Sequence, residues 1–315
     1  GAMGQRANFE EHYSGDTFQG SYVAGVYYPD KTRVGWWKNG YPEYFAKVLN
    51  APNWIGINVA VNGEQLDLAK CIAIDNFRRE LNMKEGWLSR SFTATLQNSV
   101  KVKVDTKRFL SLDIDALGAI EYKVTPLSGD CQIDFSPYLD NAITNEDSNW
   151  DDKFWDVLSI NHDNEQAFIV SKTMKTDFYV CTSMQTQVSL NGAILNQDET
   201  VNDSINQIAF TYNNKVSQGD TIVITKYGGY ISDRNHDKND LISVAKSTLK
   251  KASELGFDGL LEKQKQAWAK IWDMADITIN GDVAAQQGIR FNIFHLNQTY
   301  LGTDHRLNIG PKGFT

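Results

Sequence analysis

Cysteine is scarce in this chain: Cys71, Cys131 and Cys181 are the only three in 315 residues. They are widely spaced and odd in number, so they offer neither a metal-ligand pattern nor a disulfide framework, and a reducing, cytoplasmic setting is the simplest expectation. Histidine is almost as thin. His12, His162, His236, His295 and His305 are scattered without the spacing of a zinc site, so no metal centre is expected. Long apolar runs are missing as well. None approaches the ~18–20 residues that a membrane-spanning helix needs, and no signal-peptide pattern is visible, so no membrane partner is expected. Basic charge is in deficit, with 31 Lys and Arg against 39 Asp and Glu and a net charge of −8. That leaves no basic face for a nucleic-acid backbone. There is no Gly-rich phosphate loop ending in Lys-Ser/Thr, no His-Glu-x-x-His and no Gly-x-Ser-x-Gly, so no self-contained catalytic motif is present.

The remaining composition is that of a globular protein, 41% hydrophobic and 22% charged. The length exceeds one small domain and suits a large β domain with something added. Tryptophan is plentiful at eight residues, and Trp36, Trp37 and Trp54 crowd near the start. Indole rings stack on sugar faces, which hints at carbohydrate. A large β core also uses tryptophan as filler, and that is the heavier reading for any single one.

Up to about residue 230 the periodicity is that of strands. Ile55, Ile57, Val59 and Val61 alternate and run into Asn62-Gly63, a pair suited to the positive φ angles of a tight hairpin. Val100, Val102 and Val104 alternate likewise. Further strands are expected at Phe168–Val170, at Val188–Leu190 before Asn191-Gly192, at Ile208–Tyr212 and at Ile222–Ile224. Many short strands without interleaved helices predict a sandwich rather than a parallel sheet. After Asp240 the period becomes helical. Leu241, Val244, Ala245, Thr248, Ala252 and Leu255 share a face, with Asn239 or Asp240 as cap and Gly256 as the break. A second helix follows Asp258, with Leu261, Lys265, Trp268, Ile271, Trp272 and Ala275 on one side. A third runs from Asp282 to about Leu301. Ile289, Phe291, Ile293, Phe294, Leu296 and Tyr300 make it apolar on more than one side, so it expects cover on most sides.

Two segments stand out from this pattern. Ala7 to Gly56 is dense in aromatics, Gly, Pro and mixed charge with little periodicity. It reads as a packed interdomain or dimer surface, or as part of a ligand site. Asp304, His305, Arg306, Lys312, Phe314 and Thr315 set cations and an aromatic ring beside Gly and Pro. That mixture suits a polar ligand such as a sugar or phosphate, although by spacing alone an ordinary charged exit from a helix reads better. The acidic run Asn145–Asp152 reads as a solvated loop, because a catalytic acid needs burial to raise its pKa.

Ala24–Gly56 (AGVYYPDKTRVGWWKNGYPEYFAKVLNAPNWIG) closely resembles the maltose-phosphorylase branch of glycoside hydrolase family 65. Gln286–Phe294 leading to Arg306-Leu-Asn-Ile-Gly-Pro-Lys-Gly-Phe-Thr315 resembles it too, in a pattern shared more broadly across the family. Leu66–Lys70, Arg108–Ser111 and Phe154–Leu158 also follow the family pattern, in order along nearly the whole chain. The resemblance implies a mainly β fold: a large antiparallel β-sandwich over 1–238, a helical linker over 239–280, and the first helix of an (α/α)6 barrel over 281–315. It implies inverting phosphorolysis of maltose to β-glucose 1-phosphate and glucose, with maltose and inorganic phosphate as substrates, no metal or organic cofactor, and a homodimer. The loop holding Asp304, Arg306, Lys312, Phe314 and Thr315 would support substrate binding at the barrel mouth, and the general acid Glu would follow Thr315. Phosphate is already an anionic nucleophile, so the base of an ordinary inverting glycosidase becomes dispensable. Two alternatives stand beside this reading: a family 65 hydrolase of an α-glucoside such as kojibiose, and a non-catalytic β-sandwich module for carbohydrate binding or dimerisation.

Overall fold

A strand with alternate apolar residues needs one covered face, and here two antiparallel sheets cover each other. The structure, a computed structural model, describes residues 2–32, 40, 42–145 and 153–307. In chain order the strands are β1 (Met3–Gln5), β2 (Ser21–Val23), β3 (Tyr27–Lys31), β4 (Tyr44–Val48), β5 (Ile57–Val61), β6 (Glu64–Gln65), β7 (Ala73–Asn82), β8 (Trp87–Thr95) and β9 (Lys101–Leu110). There follow β10 (Leu117–Pro126), β11 (Cys131–Asp140), β12 (Trp155–Asp163), β13 (Gln166–Thr173), β14 (Tyr179–Leu190), β15 (Ala193–Ile194), β16 (Thr200–Asp203), β17 (Gln207–Val216) and β18 (Ile222–Ser232). Among the described residues two helices follow, α1 (Leu241–Ala275) and α2 (Val283–Thr299).

A nine-stranded sheet runs β12-β13-β14-β18-β10-β9-β8-β7, with β15 paired to β14. A five-stranded sheet, β16-β17-β11-β5-β6, lies against it, while β1-β2 and β3-β4 form separate ribbons. The expected hairpin turns are present: Asn62 and Gly63 have φ of 51° and 78°, and Asn191 and Gly192 have 49° and 85°. The main core fills the space between the sheets, with Ile57, Val59, Phe92, Val104, Tyr122, Phe135 and Phe210 fully buried. On the outer face of the large sheet, Phe109, Leu117, Phe168, Cys181, Tyr227 and Ile231 receive Leu241, Ala245, Leu249 and Ala252 of α1. The molecule is thus three layers deep, sheet on sheet with a helix behind the larger one.

Helix α1 breaks at Gly256 (φ 69°, ψ 171°), where the sequence places the end of its first helix. Its start differs in detail from expectation, since Asp240 makes no side-chain capping bond. Beyond the break the buried positions are Leu260, Leu261, Gln264 and Trp268. Gln264 in place of Lys265 turns inward, because its amide accepts from Leu112 N at 2.9 Å and donates to Gly86 O at 3.0 Å. Lys265 instead faces Glu85. Asp282 caps α2 by accepting from Ala285 N at 2.9 Å. Of the α2 residues only Phe294 is buried, and Val283, Phe291 and Leu296 are exposed.

Three features of the interior are polar or depend on glycine. Gly118 of β10 and Gly228 of β18 are cross-strand partners, and together they leave a notch on the inner face of the sheet. The Trp54 indole fills it: a Cβ at Gly118 would lie 2.4 Å from Trp54, and one at Gly228 2.9 Å from it. Secondly, Arg90 of β8 and Arg108 of β9 meet Glu10 and Glu11 of the N-terminal arm, all four buried. Glu10 pairs with both arginines at 2.8 Å, Glu11 pairs with Arg90, and Arg108 also donates to Arg6 O at 2.8 Å. The arm is thereby fastened into the sandwich by charge as well as by apolar contact, since Met3 belongs to the main core and Phe9 packs on Phe77.

Thirdly, Lys226 of β18 is fully buried, and its Nζ donates to Gly56 O and Tyr138 O at 2.8 Å each. Burial pushes this ammonium well below the ordinary lysine range. A lysine so depressed holds fewer protons folded than unfolded, so stability rises with pH until the unfolded lysine deprotonates at about 10.4. Unfolding free energies from urea titrations are therefore expected to climb between about pH 8 and 10, by at most about 1.4 kcal/mol per pH unit, and Lys226→Met is expected to flatten that slope. Parallel pH curves for the two proteins would show that Lys226 keeps its proton on folding.

Candidate functional site

Helix α2 ends at Tyr300, and the chain turns back through Gly302 at φ 74°. That turn lays residues 303–307 beside the loop that leaves β18. Arg306 reaches across: its Nε and Nη2 donate to the Asp304 carboxylate at 2.8 and 2.7 Å, and its Nη1 donates to the carbonyl of Arg234 at 2.6 Å. A further Nη2 bond goes to Asn235 Oδ1. Arg234 in turn lies 3.9 Å from Asp304 and donates to Ala24 O at 3.2 Å. A cleft of about 290 Å³ adjoins the cluster, bounded by Asp115, His236, Thr248, Tyr300 and Asp304.

The Arg306 guanidinium holds the Asp304 carboxyl far below the usual carboxylate range. Asp304 is therefore ionised at neutral pH and serves as a charge partner, not as a proton donor. Among the described residues no group of His, Cys, Asp and Glu is placed to hold a metal ion. The cluster orients the turn that carries it, and its own groups supply no acid for cleaving a glycosidic bond.

A larger cavity, about 910 Å³, opens between the N-terminal arm, β8, β9 and the inner side of α2. Trp268 of α1 and Phe294 of α2 stack on its wall with ring centroids 4.6 Å apart. His295 also borders it, and burial pushes that imidazole down toward the neutral form. The middle of α2 is tied to the end of α1 by a two-pronged bond from Arg290 to Asp276 at 2.8 and 2.7 Å.

The structure thus brings Asp304 and Arg306 together, while Lys312, Phe314 and Thr315 lie outside the described residues. So do Trp36, Trp37 and residues 146–152 of the acidic run. Asn145 is buried and accepts from Asn50 N at 2.8 Å. The irregular segment from Ala7 to Gly56 divides in two. Glu10, Glu11, Leu49, Trp54 and Ile55 are buried within this chain, whereas Tyr27, Tyr44 and Phe45 on the β3-β4 ribbon are exposed. Arg234 and Asn235 were not picked out by sequence reasoning. They sit in a charged loop with no periodicity, and only the fold sets them against residues some 70 positions later.

Residues 1–271 match the family model described as glycosyl hydrolase family 65, N-terminal domain. The whole chain is 43% identical over 316 residues to maltose phosphorylase of Bacillus subtilis (strain 168), covering 41% of that protein. It is 30% identical over 332 residues to alpha,alpha-trehalose phosphorylase of Thermoanaerobacter brockii, again its whole length against 42% of the relative. A solved structure described as "Putative kojibiose phosphorylase from human microbiome" superposes with a TM-score of 0.87 at 26% identity, over 99% of this chain and 40% of that one. The chain spans about two fifths of the length of these relatives. With the sandwich, its helical backing and these matches together, the chain belongs to glycoside hydrolase family 65.

Proposed function

We propose that this chain is the amino-terminal part of an inverting glycoside phosphorylase that converts maltose and inorganic phosphate to β-glucose 1-phosphate and glucose. The observation that carries the reading is the 43% identity, along the entire chain, to about two fifths of a maltose phosphorylase, with the match to an N-terminal-domain model. The division of labour follows the residues: a sandwich over 1–238, a helical connection over 239–280, and from 281 the first helix of an (α/α)6 catalytic barrel. The exposed Phe291 and Leu296 of α2 support this, since an apolar helix face gains by being covered. The general acid belongs to sequence after Thr315, and phosphate needs no metal or organic cofactor to act as nucleophile. Lys312, Phe314 and Thr315, with Asp304 and Arg306, belong to the substrate side of the barrel mouth. A cytoplasmic setting and a homodimer complete the reading.

The test compares two proteins. The intact polypeptide that carries this chain is expected to release glucose 1-phosphate from maltose only when phosphate is supplied. The 315-residue piece is expected to release none. Glucose formation that is indifferent to phosphate would replace the phosphorylase by a hydrolase, and turnover by the 315-residue piece would overturn the location of the acid.

A further inference from the structure

We propose that Arg234 is a positioning residue: it anchors the Asp304–Leu307 turn to the end of the sandwich and so fixes where the following segment enters the catalytic region. The inference rests on the phosphorylase reading above and assigns Asp304 and Arg306 to holding the loop rather than to contacting the sugar.

The donor count supports this. Arg306 directs Nε, Nη1 and Nη2 at Asp304, the Arg234 carbonyl and Asn235, so nearly all its N–H groups are engaged by its own chain. A guanidinium spent in this way has little left for a ligand. Asp304 is shared between Arg306 at 2.7 Å and Arg234 at 3.9 Å, which makes the carboxylate the hub of the cluster.

The anchor is built into the fold. The Arg234 side chain is only 13% exposed, and it passes directly over Gly25. A Cβ at Gly25 would fall 1.0 Å from Arg234 Nη1 and 2.9 Å from Leu307, and the φ of 73° at Gly25 independently disfavours any side chain there. Gly25, Arg234 and Leu307 therefore meet at one point, between strands β2 and β3, the exit of β18 and the loop after α2. Three segments far apart in sequence converge on a planar cation whose fork can serve a carboxylate and a carbonyl together. Lysine has one point charge and cannot do both with the same geometry.

From Leu307 the chain continues directly into Asn308–Thr315, the stretch expected to support substrate. Anchoring the turn at Leu307 fixes the point from which those residues start. A misplacement on the order of 1 Å can cost about 10²-fold in rate. Arg234→Met in the intact enzyme is accordingly expected to lower kcat for maltose phosphorolysis roughly 10- to 100-fold, with hydrogen exchange accelerated at 304–307 and unchanged in α1. Arg234→Lys is expected to recover only part of kcat, and Asp304→Asn to reproduce the loss. Gly25→Ala tests the same contact from the other side.

The outcomes separate the claims. Unchanged exchange at 304–307 in Arg234→Met would refute the anchor. Accelerated exchange with wild-type kcat and KM would refute positioning. Faster exchange throughout α1 as well would mark a loss of general stability and also overturn it. If the wild-type enzyme forms no glucose 1-phosphate, the phosphorylase reading fails, the positioning of that reaction falls with it, and exchange alone judges the anchor.

Discussion

Arg90→Met is expected to cost the fold about 3–5 kcal/mol, the range for breaking a buried ion pair by removing one partner. Arg90 serves both Glu10 and Glu11, so its loss leaves two buried carboxylates to Arg108 alone. None of the four groups is more than 5% exposed, so water cannot make good the loss. The pH dependence has a definite sign. Burial pushes the Glu10 carboxyl up, but Arg108 and Arg90 outweigh it and hold the group below its ordinary value of 4.5. A carboxylate depressed on folding contributes stability above the unfolded pKa and loses it as pH falls through the folded one. Wild-type protein should keep this contribution at neutral pH and shed it in acid, below about 4.5. Arg90→Met should lack part of it already at neutrality. Urea unfolding at several pH values measures both effects, and a neutral-pH loss below about 1 kcal/mol, the value of an exposed pair, would mean that the cluster is effectively solvated.

Trp54→Ala is expected to cost about 3–5 kcal/mol, as for other large aromatic side chains emptied from a core. The more informative experiment couples it to its notch. Gly118→Ala alone drives a methyl to 2.4 Å from the indole and should cost about 1–3 kcal/mol by overpacking. In the Trp54→Ala background the same methyl enters vacated space and should cost far less. The two changes are thus expected to be strongly non-additive. Additive losses would show that the ring and the glycine pair stabilise the sheet independently.

Much of the β architecture is legible because its signals are local. Asn62-Gly63 and Asn191-Gly192 mark their hairpins through the φ angles they tolerate, and the change of period after Asp240 marks α1. The fastening of the arm was less apparent, although part of its signal was in reach. Arg90 shares strand parity with Phe92 and Ala94, Arg108 with Val102 and Val104, and Lys226 with Ile222 and Ile224, so all three are destined for the inner face. Parity predicts a buried cation. It does not name the partner, which for the arginines lies 79–98 residues away in the arm. The Arg234 anchor was not legible at all, because it joins loops whose proximity only the finished sandwich creates. For α2, the reading of a helix apolar on several sides stands, with Phe294 alone buried.

The distance between the arm and its arginines also has a consequence during synthesis. Glu10 and Glu11 leave the ribosome 79–98 residues before the arginines they need. At about 5–20 residues per second, that is a wait of roughly 4–20 s. Throughout it the two acids are better off hydrated than buried, so the first dozen residues cannot dock early. They remain open to a protease or a chaperone until the hairpin of β8 and β9 has emerged. Residues 2–12 thereby settle only once Arg90 and Arg108 have been made.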